Sequence, residues 1–492
     1  MNRDVCLLAI DQGTTSTRAM CFSPDGTILD MAQKPLTLFY PHKGWVEQDP
    51  AQIWADTLAV TRTVLVHCRR TVAGIGITNQ RETTIVWDRK TGAPVYNAIV
   101  WQDRRTAERC ETLKAQGHEN TIIEKTGLLL DPYFSATKLA WILEHVSGAR
   151  ARAEAGDLAF GTVECFVLWH LTGGRVHATD ATNASRTLLY NIRDGGWDEV
   201  LLKLFDIPRA LLPEVRDNVS DFGMTDPALV GGSYRIGGMA GDQQAALVGQ
   251  ACFQEGMGKA TYGTGCFALM NIGETFRASR HRLLTTIGYQ CAGKPVYALE
   301  GSIFMAGAAV QWLRDGLGVI ESAGETEALA RSVPDNNEVY MVPAFAGLGA
   351  PYWRPEARGM ITGLSRDSTK AHIVRATLEA QAYQTYDLMR AMAEDSGRLP
   401  DVLRADGGLV ANNFVCQFLA DILDRPVEIP EHVEATAWGA GVLAGLQAGI
   451  FSSFSEIAEG WRCARRYNPA MDAPERTRLL EGWQGAVRKS LI

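Results

Sequence analysis

Short apolar runs alternate along this chain with longer segments of helical periodicity, a pattern typical of α/β proteins. It predicts strands at 5–10, 17–22, 72–78, 84–87, 97–101, 259–263, 266–271, 284–290 and 296–300. It predicts helices near 50–68, 104–116, 136–146, 158–171, 302–316, 368–392, 412–423 and 435–448. Residues 212–241 are rich in Pro, Gly and Asp and lack helical periodicity. A domain boundary is therefore predicted at the end of this segment, giving domains 1–247 and 248–492.

The first apolar run leads into a turn that is rich in polar side chains. In LLAIDQGTTSTRAMCF (7–22), Asp11 ends the run, and Gly13, four hydroxyl side chains and Arg18 follow before apolar residues resume. Such residues are common in ordinary turns because they bond their own backbone, and a plain hairpin turn explains the stretch. The alternative is a phosphate-binding turn, in which N–H and hydroxyl groups bind anionic oxygens and the carboxylate holds magnesium.

A second stretch repeats this plan in the other half of the chain. In ATYGTGCFALMNIG (260–273), a Gly-Thr turn at 263–265 again separates two apolar strands, as GTT does at 13–15. The repeat indicates two related domains that hold one phosphate chain between them. Because Gly-Thr turns are common, a chance match is the alternative.

Two familiar nucleotide-binding motifs are missing from the sequence. GYQCAGKP (288–295) has the glycine spacing of a P-loop, but Pro295 stands where a hydroxyl should bind magnesium, and a strand follows instead of a helix. No GxGxxG opens a helix, so a Rossmann dinucleotide site is not supported.

Arg81 and Glu82 are adjacent at a strand end in GITNQRETTIVWDRKTG (76–92), which is predicted to be a hairpin. A solvated ion pair is the simplest interpretation. The alternative is a polyol site, because a guanidinium donates and a carboxylate accepts, and each hydroxyl of a polyol needs both partners. Trp101 and Tyr133 lie at similar strand-to-helix junctions, either as covers for the carbon skeleton of such a ligand or as core residues.

Three further sites contain candidate ligand-binding residues, two at the start of a helix and one at small residues within a helix. Asp242, in GMAGDQQAALVGQ (238–250), is predicted either as an N-cap or as a carboxylate at the mouth of an interdomain cleft. Gly408 and Asn412 precede a helix, where free N–H groups favour a nucleotide, although plain capping by Asn412 is the alternative. At Gly307 a flat ring has room to lie against the backbone, unless the glycine serves close helix packing.

Charge and composition exclude several classes of function. The chain has 492 residues and a net charge of −8, and its basic runs do not exceed arginine pairs, which argues against nucleic acid as a partner. Its apolar runs are too short for membrane insertion or a signal peptide. The ten cysteines are scattered without a CxxC pair, which predicts neither a disulfide framework nor a zinc site. These features together predict a cytoplasmic protein.

Taken together, the motifs resemble the FGGY carbohydrate kinases of the actin/hexokinase/heat-shock ATPase superfamily, from AIDQGTTSTRAM to ATAWGAGVLAGL. NQRETT, WQDRR, DPYFSATK and GDQQAAL are most similar to the branch that phosphorylates glycerol. The resemblance implies an α/β fold of two actin-like (ribonuclease H-like) domains with a nucleotide cleft between them. It also implies magnesium-assisted, in-line transfer of the γ-phosphate of ATP to glycerol, the first step of glycerol catabolism, by a homodimer or homotetramer.

The same resemblance assigns roles to individual residues. Asp242 is implied as the general base, and Asp11 and Asp242 as magnesium ligands. The implied glycerol-binding residues are Arg81, Glu82, Trp101, Tyr133, Asp242, Gln243 and Phe267. The implied nucleotide-binding residues are Thr14, Thr15, Ser16, Arg18, Thr264, Gly307, Gln311, Gly408 and Asn412.

One segment departs from the family pattern. Residues 231–241 form a shorter stretch than in enterobacterial members, where fructose bisphosphate binds at a tetramer contact, and residues 225–242 contain no histidine. Control by that ligand or by histidine phosphorylation is therefore not supported at this place. Two other functions remain as alternatives: a sister kinase for another polyol or a ketose, and an actin-like ATPase that is not a kinase.

Overall fold

The structure of the protein, a computed structural model, describes residues 4–354 and 356–491. The elements of the first half are β1 (Val5–Gln12), β2 (Ser16–Phe22), β3 (Ile28–Pro35), β4 (Glu47–Gln48), α1 (Pro50–His67), β5 (Thr71–Asn79), β6 (Ile85–Asp88), β7 (Ala98–Ile99), α2 (Ala107–Ala115), α3 (Glu119–Thr126), α4 (Ser135–His145), α5 (Ala149–Glu154), β8 (Leu158–Gly161), α6 (Val163–Leu171), β9 (Ala178–Asp180), α7 (Ala181–Ala184), β10 (Tyr190–Asn191), β11 (Gly196–Trp197), α8 (Glu199–Phe205), β12 (Glu214–Arg216), α9 (Pro227–Val230), β13 (Ile236–Gly241) and α10 (Asp242–Gly249).

The second half begins with a strand that follows α10 after a short connection. Its elements are β14 (Gly258–Tyr262), β15 (Cys266–Asn271), β16 (Leu284–Cys291), β17 (Lys294–Ile303), α11 (Gly307–Asp315), α12 (Glu325–Arg331), β18 (Tyr340–Val342), β19 (Met360–Thr362), α13 (Lys370–Ser396), β20 (Leu403–Asp406), α14 (Asn413–Leu423), β21 (Val427–Pro430), α15 (Ala435–Gln447), α16 (Phe454–Gly460), β22 (Cys463–Tyr467) and α17 (Ala473–Ser490). Within residues 4–354 and 356–491, no helix combines the length and apolar character needed to cross a membrane.

Each half is built around one large sheet. The first sheet has the order β13-β5-β1-β2-β3, and the second has the order β16-β17-β15-β14-β20-β21-β22. In both sheets an antiparallel hairpin lies beside a parallel strand: β1–β2 beside β5, and β14–β15 beside β20. The two halves therefore repeat one plan, and the predicted α/β fold of two related domains is confirmed.

The first sheet is covered by helices on both faces, because successive residues of a strand point to opposite sides. From β1, Leu8 and Ile10 pack in the cluster that includes Val60 of α1. Ala9 packs on the opposite face against Ala437 and other residues of α15, a helix from the far end of the chain. One layer of the first half is thus supplied by the second half.

The contact between α15 and the first sheet is close enough to exclude side chains. A Cβ atom placed on Gly76 of β5 would lie 2.0 Å from the carbonyl oxygen of Ala440. The crossing of α10 and α15 is equally tight, since a Cβ on Gly439 would lie 1.8 Å from the carbonyl oxygen of Ala245. Glycine is therefore required at both contacts.

Some predicted elements are wrong in detail. Residues 158–161 form strand β8 instead of the start of a helix, because a short, fully apolar run does not distinguish the two. Residues 302–303 end strand β17, so α11 begins at Gly307. The predicted hairpin at 76–92 does not form: β5 pairs with β1 and β13, whereas β6 pairs with β8.

The carboxyl groups of Glu164 and Asp180 are both buried in the first half, and Glu164 predicts that stability depends on pH. Glu164 accepts hydrogen bonds from Asn79, Thr162 and Thr179 at 2.6–2.8 Å. Burial, and secondarily the negative charge of Asp180, raise the pKa of Glu164 from 4.5 to about 8.

A raised pKa in the folded state makes the protonated form the stable one inside the protein. Between pH 4.5 and about 8 the folded state then holds a proton that the unfolded chain has lost, so the free energy of unfolding should fall as pH rises. Glu164→Gln, which mimics the protonated group, should flatten this decline. Urea unfolding at several pH values measures it, and an unchanged slope in the variant would contradict the assignment.

Candidate active site

The first polar turn connects β1 to β2, as predicted. Asp11 pairs with Arg18 and Gln12 with Thr17 in the strand register, and the N–H of Gly13 donates to the carbonyl of Ser16 at 2.9 Å. The side chain of Thr15 is exposed. The turn therefore offers hydroxyl groups to solvent at the end of a rigid hairpin.

A buried network of amide side chains fixes this turn. Gln48 Nε2 donates to the carbonyl of Thr14 at 2.6 Å, and Gln80 Nε2 donates to the carbonyl of Gly13 at 3.2 Å. The two side chains are joined by a 2.7 Å bond from Gln80 Nε2 to Gln48 Oε1. Since both glutamines are buried, the turn is held in one conformation. Neither was predicted as a site residue.

Asp11 and Arg18 form an ion pair that reaches the other half of the chain. Arg18 Nε lies 3.1 Å from Asp11 Oδ2, and Arg18 Nη1 lies 2.7 Å from Glu434 Oε2. Burial raises the pKa of Asp11, and the charge of Arg18 opposes that rise. Glu434 precedes α15, and only the fold brings it here.

The second polar turn connects β14 to β15, and α11 begins against it. The N–H of Gly307 donates to the carbonyl of Gly263 at 3.0 Å. A Cβ on Gly307 would lie 2.7 Å from that carbonyl oxygen, so a side chain is excluded. Thr264 in the turn and Gln311 on α11 are exposed. The structure shows the close packing that was the alternative at Gly307, and the flat ring stays a prediction.

Gly408 and Asn412 lie in and after a 3₁₀ turn, Gly408–Ala411, between β20 and α14. Asn412 Oδ1 accepts from the N–H of Val415 at 3.2 Å, and Asn412 Nδ2 donates to Thr326 Oγ1 at 3.1 Å. Asn412 is therefore the N-cap of α14. Among residues 4–354 and 356–491, no atom lies within 4 Å of a Cβ placed on Gly408, so the described part of the chain leaves the space above this glycine open.

The pair at residues 81 and 82 is buried, so the interpretation as a solvated ion pair is wrong. Arg81 is 3% exposed and Glu82 is 1% exposed. Arg81 Nε lies 3.1 Å from Asp242 Oδ1, and its Nη2 donates to Glu300 Oε1 at 3.0 Å. Arg81 thus joins a carboxylate at the start of α10 to one from the second sheet.

Glu82 has a strained backbone and its own arginine partner. Its φ is +60°, which is uncommon for a residue other than glycine and is concentrated at functional sites. Arg186 Nε donates to Glu82 Oε1 at 2.6 Å, while Arg186 Nη2 donates to Glu300 Oε1 at 2.9 Å. Burial raises the pKa of Glu82, and Arg186 opposes the rise.

Arg186 and Glu300 were missed by the sequence analysis. They come from the loop after α7 and from β17, and no short motif joins them to the residues around position 81. The side chains of Arg81, Glu82, Arg186 and Glu300 are all buried and alternate in charge, so they form one cluster. This cluster holds the Arg81 guanidinium in a fixed orientation.

Three aromatic rings form one wall beside this cluster. Trp101 lies 5.6 Å from Tyr133 and 6.3 Å from Phe267, both in edge-to-face geometry. All three are half-buried, so they are not simply core residues. Trp101 Nε1 donates to Thr14 Oγ1 at 2.9 Å, which connects the aromatic wall to the first polar turn.

Asp242 is the first residue of α10, and its N-cap is Gly241, so the prediction of an Asp242 cap is wrong. Strand β13 runs directly into the helix, which moves the cap one residue earlier than the sequence indicates. Asp242 Oδ1 accepts from the N–H of Gln243 at 2.7 Å, and the side chain is 31% exposed. Gln243 is buried, with its Oε1 accepting from the ammonium group of Lys259.

The residues predicted to bind the phosphate acceptor therefore lie close together. Arg81 contacts Asp242 and lies 5.9 Å from the ring of Phe267, which in turn packs on Trp101. The negative charge of Asp242 also raises the pKa of Asp11, although less than burial does. A partly exposed carboxylate thus contacts the charged cluster beside the rings and lies near Asp11 of the first polar turn.

Family models and full-length relatives match this chain. The FGGY carbohydrate kinase N-terminal domain matches residues 6–249, and the C-terminal domain matches residues 258–448. Glycerol kinase from Nitrosomonas eutropha is 63% identical, covering 100% of this chain and 99% of its own. Glycerol kinase from Rhodospirillum centenum is 59% identical with the same coverage.

Solved structures show the same relationship. Plasmodium falciparum glycerol kinase with ADP has a TM-score of 0.94 at 37% identity, covering 99% of this chain and 98% of that one. A xylulose kinase from Lactobacillus acidophilus has a TM-score of 0.88 at 20% identity, covering 99% and 97%, and shows the shared fold.

Proposed function

Because the chain belongs to the FGGY family of carbohydrate kinases, we propose that it transfers the γ-phosphate of ATP to glycerol. The products are sn-glycerol 3-phosphate and ADP. The full-length identity to glycerol kinases supports the substrates. The observation that carries the site assignment is the 3.1 Å contact between Arg81 Nε and Asp242 Oδ1, beside the aromatic wall.

Asp242 is the general base of this reaction. Its carboxylate is partly exposed, whereas the other carboxylates around Arg81 are buried and held by arginines. A carboxylate accepts the proton of the attacking terminal hydroxyl as the oxygen forms its bond to phosphorus and the bond to the ADP oxygen breaks. The contact with Arg81 orients the Asp242 carboxylate while this happens.

Glycerol binds between the charged cluster and the aromatic wall. Arg81 and Gln243 supply donors and Glu82 supplies an acceptor, which matches hydroxyls that each donate and accept. Trp101, Tyr133 and Phe267 cover the carbon atoms. The fixed orientation of Arg81 against Glu300 makes the site selective for one arrangement of hydroxyls.

The nucleotide binds across the two polar turns. Thr14, Thr15, Ser16 and Arg18 act on the phosphates from the first half, and Thr264 acts from the second. Gly307, Gln311, Gly408 and Asn412 line the adenosine side, where Gly408 leaves open space and Gly307 permits close backbone approach. Since the capping bond occupies Asn412 Oδ1, this residue contacts the nucleotide through its remaining donor capacity.

The carboxylates present fit a magnesium ion. Mg²⁺ prefers oxygen ligands, keeps several waters and is commonly held by one or two carboxylates plus phosphates. Asp11 and Asp242 would hold it, because they lie near enough for the negative charge of Asp242 to raise the pKa of Asp11. When bound, the ion neutralises charge on the phosphate groups.

The acceptor specificity tests the proposal directly. ADP release with ATP and magnesium is measured with glycerol, dihydroxyacetone, xylulose, ribulose, gluconate and no acceptor. Glycerol should give the highest kcat/KM. A higher value with a sugar or sugar acid would make the protein a sister kinase, and acceptor-independent hydrolysis at the same rate would make it an actin-like ATPase.

A further inference from the structure

Three cysteines meet at the end of the first sheet that is remote from the polar turn. The Sγ atom of Cys68 lies 3.2 Å from that of Cys6 and 3.1 Å from that of Cys21. All three sulfur atoms lie within 4.8 Å of one another. None of the three is in a disulfide. The proposed kinase mechanism makes no use of this cluster.

Regular secondary structure brings the three thiols together. Cys21 of β2 pairs with Leu8 of β1, and Cys6 lies two residues before Leu8, so both cysteines point to the same face. That face is covered by α1, and Cys68 is the C-cap residue of this helix. The spacing in the sequence, 6, 21 and 68, has no short repeat, which is why the sequence predicts no zinc site.

From this geometry we propose that Cys6, Cys21 and Cys68 form a binding site for one divalent, thiophilic d¹⁰ cation of the zinc class. Three sulfur ligands with no nitrogen or oxygen among them select soft or borderline ions over magnesium or calcium. Three sulfurs each about 2.3 Å from one ion would lie roughly 3.8–4.0 Å apart. The Cys68 sulfur therefore needs to move away from the sulfurs of Cys6 and Cys21 by less than about 1 Å to admit the ion.

Charge balance favours a divalent ion over a monovalent one. Three thiolates and a divalent cation leave a single negative charge at a mostly buried place, which is costly unless it is offset. Arg70, whose carbonyl accepts from the Sγ of Cys68 at 3.8 Å, brings a positive charge to this end of the sheet. Each thiol releases its proton to solvent as the ion binds, so affinity should rise with pH.

The position of Cys68 provides a route for the ion. Cys6 and Cys21 are fully buried, whereas Cys68 is partly exposed at the end of α1, just before the connection to β5. The ion would enter there and join β1, β2 and α1. Such a site is structural: it adds a cross-link between three elements and no reacting group.

The test is metal binding by the full-length, phosphine-reduced protein, with Zn²⁺ or Cd²⁺ as the added ion. One ion per chain should be retained after dialysis, and Cd²⁺ should produce thiolate-to-metal charge-transfer absorption. Saturation should raise the Tm, as expected for an ion that binds the folded state. Cys68→Ser should weaken binding roughly a hundredfold and abolish the rise in Tm.

Two controls keep this test decisive. Cys463→Ser removes an exposed thiol outside the cluster and should leave binding unchanged. The metal-free Cys68→Ser variant should unfold at the wild-type temperature, because its side chain is only partly buried; if it does not, Cys68→Ala replaces it in the titration. Retention of no ion, equal loss in Cys463→Ser, or undiminished binding in the Cys68 variant would overturn the proposal.

Discussion

Asp242→Asn should lower kcat by about 10²–10⁴-fold, because an amide cannot accept the proton of the attacking hydroxyl. The amide oxygen can still accept from the N–H of Gln243 and stay in contact with Arg81, so the local structure should be kept. The helix cap is not affected, since Gly241 holds that position. Steady-state ADP release measures the loss, and calorimetric glycerol affinity without nucleotide should stay within about tenfold.

The same variant separates proton transfer from metal binding. The assay is repeated across magnesium concentrations, because a carboxylate also attracts the ion. Rescue by high magnesium would make Asp242 chiefly a metal ligand, and a near wild-type rate would end the assignment as base. Asp221→Asn is the matched control: this aspartate forms a surface ion pair with exposed Arg235 and accepts from the N–H of Gly223, outside the proposed site, so its loss should leave kcat unchanged.

Arg81→Ala should lower kcat/KM for glycerol by one to two orders of magnitude, or about 1.5–3 kcal/mol, with little change in the apparent affinity for ATP. The charge-assisted bonds to glycerol are lost, and Asp242 loses the donor that orients it. Glu300 keeps Arg186 as a partner, so the buried cluster is weakened without leaving a bare charge. Glycerol and ATP titrations at saturating co-substrate give the two values.

A second pair of variants distinguishes binding from folding. Arg81→Lys keeps the charge but not the two-pronged geometry, so it should recover stability more than glycerol use. Arg105 is also a buried arginine between two carboxylates, Glu47 and Asp103, but lies outside the proposed site. Arg105→Ala should lower Tm without a selective rise in KM for glycerol. Equal weakening toward both substrates in Arg81→Ala would make Arg81 structural.

The hairpins with Gly-Thr turns could be predicted because their signals are local. Alternating apolar residues on each side of a Gly-Thr turn define strand, turn and strand within about fifteen residues. The same holds for α1, whose predicted and observed bounds differ by one residue at its end. Local patterns also placed Arg81 and Trp101 just after strands, here β5 and β7, where ligand-binding residues are common. The predicted strand-to-helix junction at Tyr133 is wrong, because this residue lies between α3 and α4.

The partners of those residues could not be predicted, because they are distant in sequence. Glu300 reaches Arg81 only through the packing of the second sheet against the first half, and Arg186 reaches Glu82 from the loop after α7, about a hundred residues along the chain. Glu434 reaches Arg18 for the same reason. The burial of Arg81 and Glu82 also made one prediction wrong. Their adjacency suggests a surface ion pair, whereas in the fold Arg81 binds Glu300 and Glu82 binds Arg186.

The packing of α15 on the first sheet has a consequence for biosynthesis. Ala9 lies near the start of the chain, and its covering residues, Ala437 and Ala440, are made when nearly all of the protein has been synthesised. Until then, one apolar face of the nascent sheet has no native cover, and partly folded chains with such exposed surfaces are prone to aggregate. The ribosome must therefore release almost the whole polypeptide before its first-made strands can complete their core.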